Sequence, residues 1–78
     1  MYYINKMTRR ETMITIQLRA LLERRNMTQA ELAKLTGIRP STICDLCNNN
    51  AVFIKIEHLE RILIALKCRL SDVLVYEQ

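Results

Sequence analysis

The chain has one glycine, one proline and one histidine among 78 residues: Gly37, Pro40 and His58. So little glycine and proline leaves no composition for a long disordered linker, and no internal repeat is visible. A lone histidine, with no Gly-rich phosphate loop, no Ser/His/Asp set and no carboxylate pair spaced around a pocket, supplies no catalytic constellation. A helical domain this small rarely holds a cleft for substrate, so the chain is expected not to be an enzyme. Apolar runs fall far short of the ~20 residues of a membrane-spanning helix, and the N-terminus lacks the order of charged, apolar and cleavage segments that marks a secretory signal. These absences predict one soluble, cytoplasmic domain with no membrane partner. Chains of this length bury only about 60% of their unfolded surface, so a marginal core helped by dimerisation is expected.

Charge of one sign is scarce in the second half and abundant in the first. The net charge is +4, and residues 1–27 carry that whole excess, with Lys6, Arg9, Arg10, Arg19, Arg24 and Arg25 against Glu11 and Glu23. Residues 28–56 are nearly balanced and the remainder is slightly acidic. A positive N-terminal side steers a domain toward a polyanion, because neutralised phosphates release counterions. For any one of these residues, a solvated helix face is the competing explanation.

Three cysteines include a C-x-x-C, Cys44 and Cys47, which with Cys68 and His58 could form a Cys₃His zinc site. The second pair is wrongly spaced for a zinc finger and all four positions fall in helical patterns. Cys47 and Cys68 read better as small buried hydrophobes, and a redox pair lacks a thioredoxin-like βαβ setting. Reduced thiols, no metal and no cofactor are the expectation.

The informative stretch is QAELAKLTGIRPSTICDLCN, Gln29 to Asn48. Ala33, Gly37 and Ile43, flanked by Leu32 and Leu46, suit two helices crossing steeply: Ala33 allows close approach, Gly37 takes the positive φ that ends the first of them, and Ile43 with Leu46 buries the inner face of the second. Thr28 and Glu31 make a capping box, so one helix starts at about Gln29. Pro40 fits a first helical turn, so the next spans about 40–47 and Arg39 is extended before it. The outer face of that second helix then carries Pro40, Ser41, Thr42 and Asp45, short groups near a helix N-terminus that favours phosphate.

With these residues in place, Gln29 to Asn48 resembles the helix-turn-helix of the Cro and cI repressor (Xre-type) family. LERILIALKCRLSDVL, Leu59 to Leu74, is similar to the last long helix and closing turn of those domains, so the resemblance covers roughly Ile16 to Val75. It implies an all-α, compact five-helix lambda-repressor-like fold. It also implies a sequence-specific double-stranded DNA-binding transcriptional regulator, a repressor working as a homodimer with no small-molecule effector. Gln29 would contact phosphate; Arg39, Pro40, Ser41, Thr42 and Asp45 would meet base edges or adjacent phosphates; and Asn48 with Asn50 would hold the DNA backbone. For the two asparagines, plain turn formation is the competing reading. Family members often carry Gln or other long polar groups where this chain has Pro40 and Ser41, and an acidic residue at Cys47. A protein-interaction or antitoxin-like adaptor is the alternative function, and Tyr2, Tyr3, Phe53 and Ile64 are its candidate contact residues.

Periodicity completes the map. Residues 1–12 form a basic extension and 13–78 the domain. A first helix is expected over roughly Ile16 to Arg25, ended by Asn26. Asn49 is expected in the left-handed conformation. A fourth helix should carry Ile56, Leu59, Ile62, Leu63 and Leu66 along one face, and a closing turn from Ser71 to Leu74 should be capped by Ser71. Met13 to Ile16 and Val75 with Tyr76 are β-prone and could pair as a small ribbon.

Overall fold

The computed structural model describes residues 14–76. Five helices run in order: α1 (Leu18–Arg24), α2 (Gln29–Thr36), α3 (Pro40–Cys47), α4 (Ile56–Leu66) and α5 (Leu70–Val73). Two strands, β1 (Ile14–Ile16) and β2 (Leu74–Tyr76), pair antiparallel with Thr15 opposite Val75, so the helical bundle is closed by a ribbon that joins its ends. The small ribbon expected from the two β-prone ends is thus present, and all-α is too narrow a description of the five-helix fold. Among the described residues no helix is long and apolar enough to cross a membrane.

One core unites the helices. Leu18, Leu32, Ile43, Leu46, Ile62 and Leu66 are fully buried, one or two from each of the four longer helices, and Val73 adds α5. Burying side chains of this size contributes about 1.5–3 kcal/mol each.

Local chemistry sets the boundaries. Thr28 Oγ1 accepts from Glu31 N–H at 3.0 Å while Glu31 Oε1 accepts from Thr28 N–H at 2.8 Å, which is the capping box expected at the head of α2. Gly37 ends α2 at φ 74°, and Pro40 opens α3. Asn26 and Asn49 both adopt positive φ, 54° and 58°, as asparagine does more readily than other non-glycine residues.

Three expectations change. The first helix starts at Leu18, because Ile16 is held in β1 by Leu74 on one side and Asn49 on the other. Asn49 Oδ1 accepts from Ile16 N–H at 2.9 Å and its Nδ2 donates to Ile16 O at 3.0 Å, which covers part of the ribbon edge. Ile56 stands at the head of its expected helical face and is 71% exposed, because α4's first turn projects beyond the core that Leu59 enters. Ser71 lies inside α5, whose N-cap is Arg69; the Asp72 carboxylate accepts the Arg69 N–H at 3.0 Å. Leu74 belongs to β2 and not to the closing helix. Lys6, Arg9, Arg10, Tyr2, Tyr3 and the boundary drawn at residue 12 lie outside the described residues.

Candidate nucleic-acid interface

The turn between α2 and α3 is organised from inside. Thr36, buried, donates its hydroxyl to Leu32 O at 2.8 Å and accepts the Ile38 N–H at 3.2 Å, while Gly37 N–H reaches Ala33 O at 2.8 Å. Ile38 is buried and pins the turn to the core. Arg39 follows at φ −58°, ψ 140°, the extended geometry that a following proline imposes. The inner face of α3 is then fixed by Ile43, Leu46 and Cys47, and its outer face is left to Pro40, Ser41, Cys44 and Asp45, all exposed.

The expected site residues divide into three places. Arg39, Thr42, Asp45 and Asn50 line one open groove of about 600 Å³, shared with the segment from Ala51 to Lys55 and with His58. Pro40 and Ser41 stand at the head of α3 outside that lining, and Gln29 is half-buried at the first position of α2. Asn48 is engaged within the chain: its Oδ1 accepts from Arg19 Nη2, and its Nδ2 contacts Cys44 Sγ at 3.4 Å. Thr42 N–H turns back to Arg39 O at 3.0 Å, and Pro40 has no N–H. The head of α3 thus keeps fewer free donors than a helix start without proline.

Two residues hold places here that their sequence reading did not give them. Cys44 stands on the exposed face of α3, three residues after Ser41 and four before Asn48; helical spacing could have found it, but the C-x-x-C drew it toward Cys47. Arg19 reaches from α1 to Cys47 O at 3.4 Å as well as to Asn48. Nothing in sequence spacing marks it, because its partners are a backbone carbonyl and a turn amide.

Arg19 is one of three arginines placed at helix C-termini. Arg25 donates to Leu66 O at the end of α4, and Arg61 donates to Thr36 O at the end of α2 while pairing with Glu57 at 2.7 Å. Each supplies positive charge where carbonyls are unpartnered and the helix dipole is negative. Part of the basic excess is therefore used inside the fold. Arg24, Lys34, Arg39 and Lys55 make no ion pair or side-chain hydrogen bond among the described residues, and they remain for outside partners.

The cysteines separate as well. Cys44 is exposed, Cys47 buried and Cys68 half-buried. Among the described residues no three His, Cys, Asp or Glu side chains gather as a metal-holding cluster. Burial pushes the Cys47 thiol up, with Cys44 adding to the rise and Arg19 opposing it. Burial likewise raises Cys68, with Asp72 adding and Arg25 opposing. Both thiols hold their protons longer in the folded chain than in the unfolded one. Their contribution to stability is thus complete below the ordinary thiol value of 9.0 and is lost as pH rises through the folded values. Urea midpoints measured from neutral pH into the alkaline range should fall less steeply for Cys47→Ala than for the unchanged chain. Equal slopes would remove Cys47 from this account.

Two helices crossing at a glycine turn, the second with a buried inner face and a polar outer face, define a helix-turn-helix domain of the DNA-binding class. The chain belongs to the Cro/C1-type HTH DNA-binding domain family, whose match covers residues 17–78. No curated protein matches the chain.

Proposed function

We propose that this domain reads double-stranded DNA by sequence and regulates transcription, as a repressor that occupies its operator with α3 in the major groove. The observation that carries this reading is the outer face of α3. Arg39, Ser41 and Asp45 are exposed and Thr42 is half-buried, and their side chains form no hydrogen bond among the described residues, although the helix beneath them is fixed by a fully buried Ile43. Polar groups held on a rigid element without internal partners suit recognition from outside.

The chemistry follows from each group. Arg39 offers a bidentate donor pair to guanine O6 and N7; Ser41 and Thr42 donate or accept; and Asp45 accepts from cytosine N4 while repelling misplaced phosphate. Gln29 at the head of α2, with Asn48 and Asn50 beyond α3, would position the DNA backbone. A homodimer would read two half-sites about 34–36 Å apart. The cytoplasm is the fitting location, and the reading requires neither cofactor nor small-molecule effector.

An adaptor that binds protein instead draws support from one observation, the exposure of Phe53 and Ile64. Selection from a random duplex pool with the full chain separates the two. A DNA reader enriches a motif and loses affinity steeply as salt rises. Absence of any enriched motif, together with salt-insensitive binding, would favour the adaptor.

A further inference from the structure

Two adjacent asparagines tie the end of α3 to β1 and α1, and they do so differently. Asn49 engages the Ile16 backbone through both ends of its amide, accepting at Oδ1 and donating from Nδ2. Asn48 is held from one side. Its Oδ1 accepts from Arg19 Nη2, while Nε of the same guanidinium donates to Cys47 O at 3.4 Å, so Arg19 grips a backbone carbonyl and the next side chain together.

That grip decides which end of the Asn48 amide faces outward. A guanidinium has donors and no acceptor, so only the amide oxygen can turn toward Arg19. The nitrogen must turn away. It points to the outer face of α3, where Nδ2 meets the Sγ of the exposed Cys44 at 3.4 Å. Sulfur is a weak acceptor, and among the described residues Nδ2 has no other. Its two N–H groups are therefore open to a stronger acceptor arriving from outside. A phosphate oxygen is one, because hydrogen bonds to an anion are roughly twice as strong as those between neutral groups. Without Arg19 the amide is free to turn its oxygen outward, where it offers a phosphate no proton.

We propose that Arg19 is a positioning residue for DNA binding, one that locks the Asn48 amide with Nδ2 outward so that this group donates to a phosphate of the duplex. The inference rests on the DNA reading above and assigns, for one backbone contact, the donor atom and the residue that aims it. Arg19 acts through Asn48 and is not itself the phosphate ligand, since two of its nitrogens are committed to Cys47 O and Asn48 Oδ1.

A double-variant cycle on the full chain tests this, with affinity for a duplex of scrambled sequence measured at several salt concentrations. Backbone contacts act on any sequence, so the result does not depend on finding an operator. Asn48 has φ −94° and ψ 3°, values open to alanine, so Asn48→Ala tests the side chain without backbone strain. Arg19→Ala and Asn48→Ala should each weaken binding roughly tenfold, and the double variant should bind no more weakly than Asn48→Ala. A merely structural role for Arg19 would add its own loss in the Asn48→Ala background. The salt slope should stay nearly the same in both single variants, whereas direct contact of Arg19 with phosphate would lower it by about 0.9 in Arg19→Ala. Thermal denaturation checks that the variants fold. One measurement needs no variant: the nuclear magnetic resonance signals of the Asn48 side-chain N–H groups should shift when duplex is added to the unchanged chain. Additive losses, a reduced slope in Arg19→Ala, or Asn48 signals unmoved by a duplex that binds would each overturn the positioning role and leave the DNA reading standing. A chain that binds no duplex even at low salt would overturn both.

Discussion

Ile43→Ala is expected to destabilise the domain by about 2–5 kcal/mol, the range for truncating a buried Ile or Leu. Ile43 is fully buried and lies on the inner face of α3, so the vacated space sits between that helix and the core. Net stability of a domain this size is on the order of 4–12 kcal/mol, from roughly 0.05–0.15 kcal/mol per residue. The loss is thus a large share of the whole, and in a weakly stable chain it unfolds the reading helix together with the bundle. Urea denaturation of Ile43→Ala, Ile43→Val and Ile56→Ala measures it. Ile43→Val should cost about 0.5–1.5 kcal/mol, and Ile56→Ala, at an exposed position, should remain within about 0.5 kcal/mol of the unchanged chain. Comparable losses from Ile43→Ala and Ile56→Ala would show that the core is drawn wrongly.

The pairing of Ile43 with Ile56 also shows what a sequence of this kind discloses. The bounds of α2 and α3 were legible because local, short-range chemistry decides them: a reciprocal cap at Thr28 and Glu31, a glycine with positive φ, a proline in a first turn. Ile43 could be placed inside because Leu46 follows it on the same helical face. Ile56 obeys the same periodicity with Leu59 and Leu63 and is nevertheless exposed, because period identifies a face and not how far along the helix the core extends. Ile16 falls in both the expected first helix and the β-prone stretch, and only the long-range partners decide for the strand. Its fate is set by Leu74 and Asn49, 58 and 33 residues away in sequence. Arginines are the least legible residues of the candidate site. Arg19, Arg25 and Arg61 read as surface charge, yet each finds a carbonyl at the end of a distant helix. By contrast Arg39, with no such partner, is left to the outside.

That difference makes Arg39 the most direct probe of the proposed reading. Arg39 occupies the N-cap of α3 without making a side-chain cap, so Arg39→Ala removes no internal hydrogen bond among the described residues and should leave thermal stability nearly unchanged. If its guanidinium meets a guanine edge, Arg39→Ala weakens binding to the enriched motif by about 1–3 kcal/mol and relaxes the preference at that one base pair. Gln29→Ala, at the head of α2 and outside the lining of the groove that Arg39 shares, should weaken enriched and scrambled duplexes about equally. Titrations of both variants against both duplexes at several salt concentrations distinguish the roles. Were Arg39 a phosphate contact, its loss would be uniform across sequences and the salt slope would fall by about one. Base preference would then have to come from Ser41, Thr42 and Asp45, short side chains that read bases only where α3 lies deep in the groove. Equal losses from Arg39→Ala and Gln29→Ala on every duplex would therefore remove Arg39 from base reading and, with it, the division of labour between the two helices.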